Sequence, residues 1–220
     1  MLRVPEWVRG AVCYQVFPDR FRIGSGKADR SYINLPWGEK PTPGSFAGGD
    51  LDGVREGLPY LKELGVSLLY LTPVFRSRSN HKYDVEDYYE VDACFGGNEA
   101  LRALVKAAHA AGIRVMLDGV FNHCSNENAI FQDVIRRGRR SPYYGWFYVD
   151  GDAACVERRN YLTFADVPYM PKLNTENDAV IDYFCQVGTH WVTEYGIDGW
   201  RLDVADEIAP RFLRRFREAV

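Results

Sequence analysis

Near the end of the sequence, Arg201 and Asp203 stand two residues apart in an otherwise apolar run, Gly196 to Glu207. The run reads as a buried strand, whose period-2 geometry points both side chains to one face. A buried unpaired charge costs several kcal/mol, about what a whole domain has to spare. Such a pair is therefore an internal salt bridge or a piece of chemistry. A second polar group, Asp118 with Asn122 and His123, ends another apolar run that starts at Ile113. If the two strands are neighbours, Arg201 bridges two carboxylates. A carboxylate beside a guanidinium keeps a low pKa and stays ionised at neutral pH, as a nucleophile or a stabiliser of an oxocarbenium ion requires. A structural ion-pair cluster with no catalytic duty is the competing reading. Placement at strand ends, with His123 and a Tyr83–Asp84 loop in reach, favours chemistry.

The elements that must position these residues alternate. Ala11 to Phe17 is a short apolar strand ended by Pro18, followed by a polar Gly- and Pro-rich loop to about Asp50. Leu51, Val54, Leu58, Leu61 and Leu64 recur at helical spacing, interrupted by Pro59. Val66 to Leu71 is a second strand. Asn98 is placed to cap a helix with a Leu101, Leu104, Val105 and Ala108 stripe, ended by Gly112. After the Ile113–Asp118 strand, residues 119–176 are aromatic-rich, irregular and too long for a simple connection. A helical stripe from Val180 to Tyr195 stops at Gly196, the Arg201 strand follows, and Phe212, Leu213 and Phe216 begin a further helix. Near-continuous apolar strands alternating with amphipathic helices mean α/β, with a parallel sheet whose C-terminal edge gathers the polar residues. No glycine-rich phosphate loop follows the first strand, which argues against nucleotide binding.

The 220 residues are 46% hydrophobic and 26% charged, with a formal charge of -3. No nucleic-acid partner is expected from that balance, and no membrane partner, because no run approaches the roughly 20 apolar residues of a spanning helix. The basic run Arg136 to Arg140 reads as a solvated helix end. Five scattered cysteines without a Cys-x-x-Cys pair suggest reduced thiols, and the N-terminal residues carry no apolar leader. A cytoplasmic location is expected.

Asp118-Gly-Val-Phe-Asn-His123 and Gly199-Trp-Arg-Leu-Asp-Val-Ala-Asp-Glu207 resemble two signature segments of the α-amylase family of glycoside hydrolases. Phe46-Ala-Gly-Gly-Asp-Leu51, His81-Lys-Tyr-Asp84 and Met170-Pro-Lys-Leu-Asn174 resemble further ones, the last in the form of the neopullulanase, cyclomaltodextrinase and maltogenic amylase branch. Any one string is weak; jointly, from about residue 11 onward, they are specific. The resemblance implies the first four βα units of a (β/α)8 TIM barrel, with a small domain B inserted after the third strand. Residues 1–121 would be barrel, 122–176 domain B with the Tyr143–Tyr148 aromatics as its core, and 177–220 barrel again. It implies a retaining hydrolase or transglycosylase acting on α-glucans such as maltooligosaccharides, cyclodextrins or pullulan. Asp203 matches the nucleophile, and Arg201 the residue that positions that carboxylate and keeps it ionised. Asp118 matches the structural carboxylate of the third strand, His123 a hydrogen-bond donor to the sugar, and Tyr83 its stacking platform.

Two departures from the family pattern shape the expectations. Retaining hydrolysis needs two carboxyl groups about 5–5.5 Å apart. The family's acid/base glutamate follows a fifth strand and its stabilising aspartate a seventh, whereas this sequence stops at Val220. A half domain, truncated and inactive alone, is therefore expected, without the branch's N-terminal carbohydrate-binding domain and with strand edges that invite a homodimer. No cofactor is required. The branch often builds a calcium site from the loop after the first strand and the Gly-Gly-Asp turn, which makes Asp29, Gly48 and Asp50 the candidate ligands. Arg22 to Ala28 brings a cation and apolar groups where hard oxygens are needed, which argues against calcium. The alternatives are a non-catalytic sugar-binding or interaction fragment, and an unrelated βα-barrel enzyme with a structural ion pair.

Overall fold

The computed structural model describes residues 4–27 and 29–220. Met1 to Arg3 and Ala28, the last residue of the loop weighed against calcium, lie outside them. Four strands, β1 (Cys13–Val16), β2 (Leu68–Leu71), β5 (Arg114–Gly119) and β6 (Gly199–Leu202), form one parallel sheet in the order β1-β2-β5-β6. The register sets Leu71 beside Leu117 and Asp118 beside Arg201. Every residue of β2 is buried, as the continuous apolar run requires. The residues of β6 are only half-buried, and the side chain of Arg201 is 39% exposed. The expected buried face at this strand is thus open to solvent on the side of its guanidinium.

A short helix, α1 (Pro18–Phe21), follows β1, and the predicted helix after Asp50 divides into α2 (Leu51–Glu56) and α3 (Leu58–Glu63). The break falls at Gly57, and Pro59 sits in the first turn of α3, where its missing N–H costs nothing. Asp50 caps α2 by accepting the Gly53 N–H at 2.7 Å. Close approach explains the Gly48-Gly49 pair: a Cβ on Gly49 would lie 2.1 Å from the Pro18 carbonyl oxygen.

An antiparallel pair, β3 (Phe75–Arg76) and β4 (Asp87–Val91), forms a second small sheet that periodicity did not reveal, because β3 is two residues long and β4 is rich in charge and tyrosine. The helix α4 (Gly97–Ala110) is preceded by Gly96, and Asn98 lies inside its first turn. Asn98 is not the cap: its amide accepts from Val91 N at 2.7 Å and donates to the Tyr89 carbonyl at 3.1 Å, tying α4 to β4.

Between β5 and α6 (Asp178–Tyr195), the chain carries α5 (Ala129–Arg137), short 3-10 turns and isolated bridges such as His123 with Lys172 and Phe147 with Leu173. Trp146 and Phe147 are buried here, with Phe147 edge-on to Phe131 at 4.8 Å, whereas Tyr148 is exposed. The helix α6 ends at Gly196 in the left-handed region (φ 72), and α7 (Pro210–Ala219) packs back on it. Phe121, three residues after Asp118, stacks among Phe184, Trp200 and Phe216, so this core anchors the ends of β5 and β6. No helix among the described residues is long and apolar enough to cross a membrane.

Candidate active site

Neighbouring register positions on β5 and β6 bring the predicted charges together. One guanidinium nitrogen, Arg201 Nη1, donates to Asp118 Oδ1 and Oδ2, each at 3.1 Å, and to Asp203 Oδ1 at 2.7 Å. Asp203 lies one residue past β6, and its backbone N–H bonds to the Gly119 carbonyl at 3.0 Å, extending the ladder. The next residue, Val204, takes a left-handed conformation (φ 49, ψ 43) that turns the chain sharply away. For a β-branched residue that conformation costs about 1–2 kcal/mol.

Asp118 is 1% exposed and has two further partners. Tyr70, on β2, donates its hydroxyl to Oδ2, and Tyr83 reaches the same oxygen at 3.3 Å. The low pKa expected of a nucleophile carboxylate beside a guanidinium does not extend to Asp118. Burial pushes it up to about 6, and the bonds from Tyr70 and Arg201 recover only part of that shift. Desolvation wins because the guanidinium is itself partly solvated, which weakens its pull. The Tyr83 hydroxyl is raised to about 12 by burial and by the nearby carboxylates.

His123 is fully buried, and its Nε2 has no hydrogen-bond partner within the protein. Burial drives its pKa down to about 4, against the pull of Asp203, so the ring is neutral at pH 7. Phe164 lies flat against the ring, centroids 4.4 Å apart and planes 7° apart. The buried, neutral imidazole thus keeps one nitrogen without a partner, the atom that the donor role expected of His123 would use.

The loop carrying Tyr83 is pinned by its neighbour. Lys82 is 2% exposed at φ 62, and its ammonium donates to Asp92 Oδ2 at 2.7 Å and to the Ser77 carbonyl at 2.8 Å. Farther round, Lys172 pairs with Glu207 Oε2, which Asn122 also approaches at 3.4 Å. Lys172 holds the Glu207 carboxyl below its usual range. Tyr70, Lys82, Phe164, Lys172 and Glu207 were not singled out by sequence reasoning. Lys82, Lys172 and Glu207 lie within the family-like segments and Tyr70 puts a hydroxyl inside an apolar strand, signals that could have flagged them.

The calcium candidates have other partners. Asp29 is exposed and accepts from Ser31 N and Oγ at 2.9 and 2.7 Å. Asp50 holds Lys27 Nζ at 3.1 Å, so an ammonium already occupies its Oδ2. Among the described residues no group of three His, Cys, Asp or Glu could hold a metal ion. This donor set does not fit calcium, which takes six to eight oxygens.

A family model described as the alpha amylase catalytic domain matches residues 15–217. A cyclomaltodextrinase from Geobacillus thermopakistaniensis (strain MAS1) is 51% identical over 222 residues, covering 100% of this chain and 38% of the relative. An intracellular maltogenic amylase from Bacillus subtilis (strain 168) is 46% identical, covering 99% of this chain and 37% of the relative. Among solved structures, a cyclic alpha-maltosyl-(1→6)-maltose hydrolase from Arthrobacter globiformis, in complex with cyclic alpha-maltosyl-(1→6)-maltose, superposes with a TM-score of 0.92 at 40% identity. That alignment covers 100% of this chain and 49% of that one. The chain thus spans about 38% of the length of such curated relatives.

Proposed function

Because this chain belongs to the α-amylase family, matched from residue 15 to 217, we propose that it carries the nucleophile side of a retaining α-glucan glycosidase or transglycosylase. Its substrates on this reading are maltooligosaccharides, cyclodextrins or pullulan. The observation that carries the reading is the single Arg201 nitrogen shared by Asp118 and Asp203. It fixes one oxygen of Asp203 and orients the other for attack on an anomeric carbon, forming a β-linked glycosyl ester. Asp118 orients Arg201, Tyr83 offers a flat face for the sugar ring, and His123 donates to a sugar hydroxyl. On this reading the four parallel strands belong to a (β/α)8 barrel, residues 122–176 form its domain B, and a copy of the chain could pair along the sheet edge. Five free thiols and the intracellular relative support a cytoplasmic setting.

Cleavage of an ordinary glycosidic bond also needs an acid to protonate the departing oxygen. Asp118 and Glu207 are poor candidates. Asp118 is buried with its oxygens committed to Arg201, Tyr70 and Tyr83, and Lys172 keeps Glu207 ionised. Residues 1–220 alone are accordingly proposed to bind glucans without turning them over. That same observation favours the second reading, a sugar-binding module.

A glycosyl fluoride separates the two, since fluoride departs without protonation. Incubation with a 5-fluoro-α-maltosyl fluoride is expected to add one sugar mass to the peptide containing Asp203, and to leave Asp203→Asn unlabelled. Labelling that persists in Asp203→Asn refutes the assignment. An unlabelled chain that still binds maltotriose by NMR leaves the sugar-binding reading in its place.

A further inference from the structure

We propose that the ammonium of Lys27 is the resident cation of the Gly48–Asp50 turn, doing there the work of a divalent metal ion and making this region independent of calcium. The inference rests on side-chain geometry and is independent of the catalytic reading.

Lys27 and Asp50 are nearly inaccessible, with side chains 7% and 6% exposed. Lys27 Nζ donates to Asp50 Oδ2 at 3.1 Å and to the Cys94 carbonyl at 2.6 Å, and lies 5.3 Å from the centre of the Tyr32 ring. The Tyr32 hydroxyl closes the group by bonding the same carbonyl at 3.3 Å. The other carboxylate oxygen, Asp50 Oδ1, accepts from Gly24 N at 3.0 Å and Gly53 N at 2.7 Å. Asp50 is thus fully satisfied: one oxygen serves two backbone donors, the other the ammonium.

Charge balance then decides what cation this turn can hold. Asp19, on the same turn, accepts from Ala47 N and Gly48 N, each at 3.0 Å, while Asp29 binds Ser31 in solvent. One carboxylate facing one ammonium is neutral. A divalent ion in the same place would leave an uncompensated positive charge at a nearly dry position, with two convergent oxygens in place of six to eight.

The device is used a second time in contact with the first. Asp92 accepts the Cys94 N–H on Oδ1 at 2.8 Å and the Lys82 ammonium on Oδ2 at 2.7 Å, with Lys82 5.4 Å from the centre of the Phe95 ring. The Asp92–Phe95 turn is therefore gripped by Lys27 through the Cys94 carbonyl and by Lys82 through a carboxylate. The two ammonium groups couple the loop after β1 to the loop that carries Tyr83, as a bridging metal ion would.

The test is thermal unfolding of the 220-residue chain, followed by circular dichroism in millimolar EDTA and in millimolar calcium chloride. The wild-type midpoint is expected to be the same in both. Lys27→Met, which leaves Asp50 Oδ2 buried without a donor and the Cys94 carbonyl with Tyr32 alone, is expected to lower it by about 5–10 °C. A wild-type midpoint that rises saturably with calcium or falls with EDTA overturns the proposal, as does a Lys27→Met midpoint equal to wild type. If Lys27→Met does not fold, the wild-type titration alone decides.

Discussion

Replacing Arg201 with methionine isolates what the guanidinium does for Asp118. In the wild type, burial lifts this carboxyl from 3.8 to about 6 even with Arg201 in place. A raised folded-state pKa means stability that is fully present at low pH and lost as pH rises through about 6. The roughly 2 units correspond to about 3 kcal/mol withheld at pH 8. Arg201 supplies two charged contacts at 3.1 Å, and contacts of that kind are worth about 1.5–3 kcal/mol when shielded. At 39% exposure the guanidinium is screened, so about 1–2 kcal/mol is a sounder figure. Arg201→Met should then raise the Asp118 midpoint by about one unit, to roughly 7. The variant should lose about 1–2 kcal/mol more at pH 8 than at pH 5, where Asp118 is already protonated. Carbon-13 NMR of the labelled aspartate carboxyls reads the midpoint, and urea unfolding at the two pH values reads the stability. Repeating both in an Asp203→Asn background removes the guanidinium's other partner. An Asp118 midpoint that stays at 6 or falls would refute the reasoning.

Two other perturbations test different parts of the scaffold. His123, with its pKa lowered from 6.5 to about 4, contributes stability that is present above pH 6.5 and lost as pH falls through 4. The loss reaches about 3 kcal/mol, and an imidazole NMR titration centred near 6.5 would contradict the burial described for it. Gly49→Ala forces a Cβ to within 2.1 Å of the Pro18 carbonyl, so the unfolding midpoint should drop by about 5–10 °C; an unchanged midpoint would mean that the turn yields freely.

Strong periodicity and strand-end polarity made the parallel sheet, the helices and the Asp118–Arg201–Asp203 cluster legible, because each depends on neighbours in sequence or on consecutive βα units. Asn98 was misplaced because an asparagine before an apolar stripe looks like a cap, while its partners on β4 are set by tertiary contact. The raised Asp118 pKa was not legible either: sequence shows that a guanidinium is near, and only structure shows how much water the carboxylate has lost. The burial of Lys27 and Lys82 was not legible, because a lysine in a polar loop is ordinarily solvated and nothing local says that its ammonium will be enclosed. Tyr70 belonged to an unbroken apolar run, so its hydroxyl was counted as core.

The left-handed Val204 that follows Asp203 sets stabilisation against competence at one position. An engineer seeking heat resistance would choose it early, since glycine there would relieve about 1–2 kcal/mol of backbone strain. Glycine would also free the joint that turns the chain away directly after the carboxylate, letting Asp203 sample orientations that valine forbids. Selection for thermal robustness alone would therefore erode the aim of this carboxylate, and a library screened for both traits should retain the strained residue.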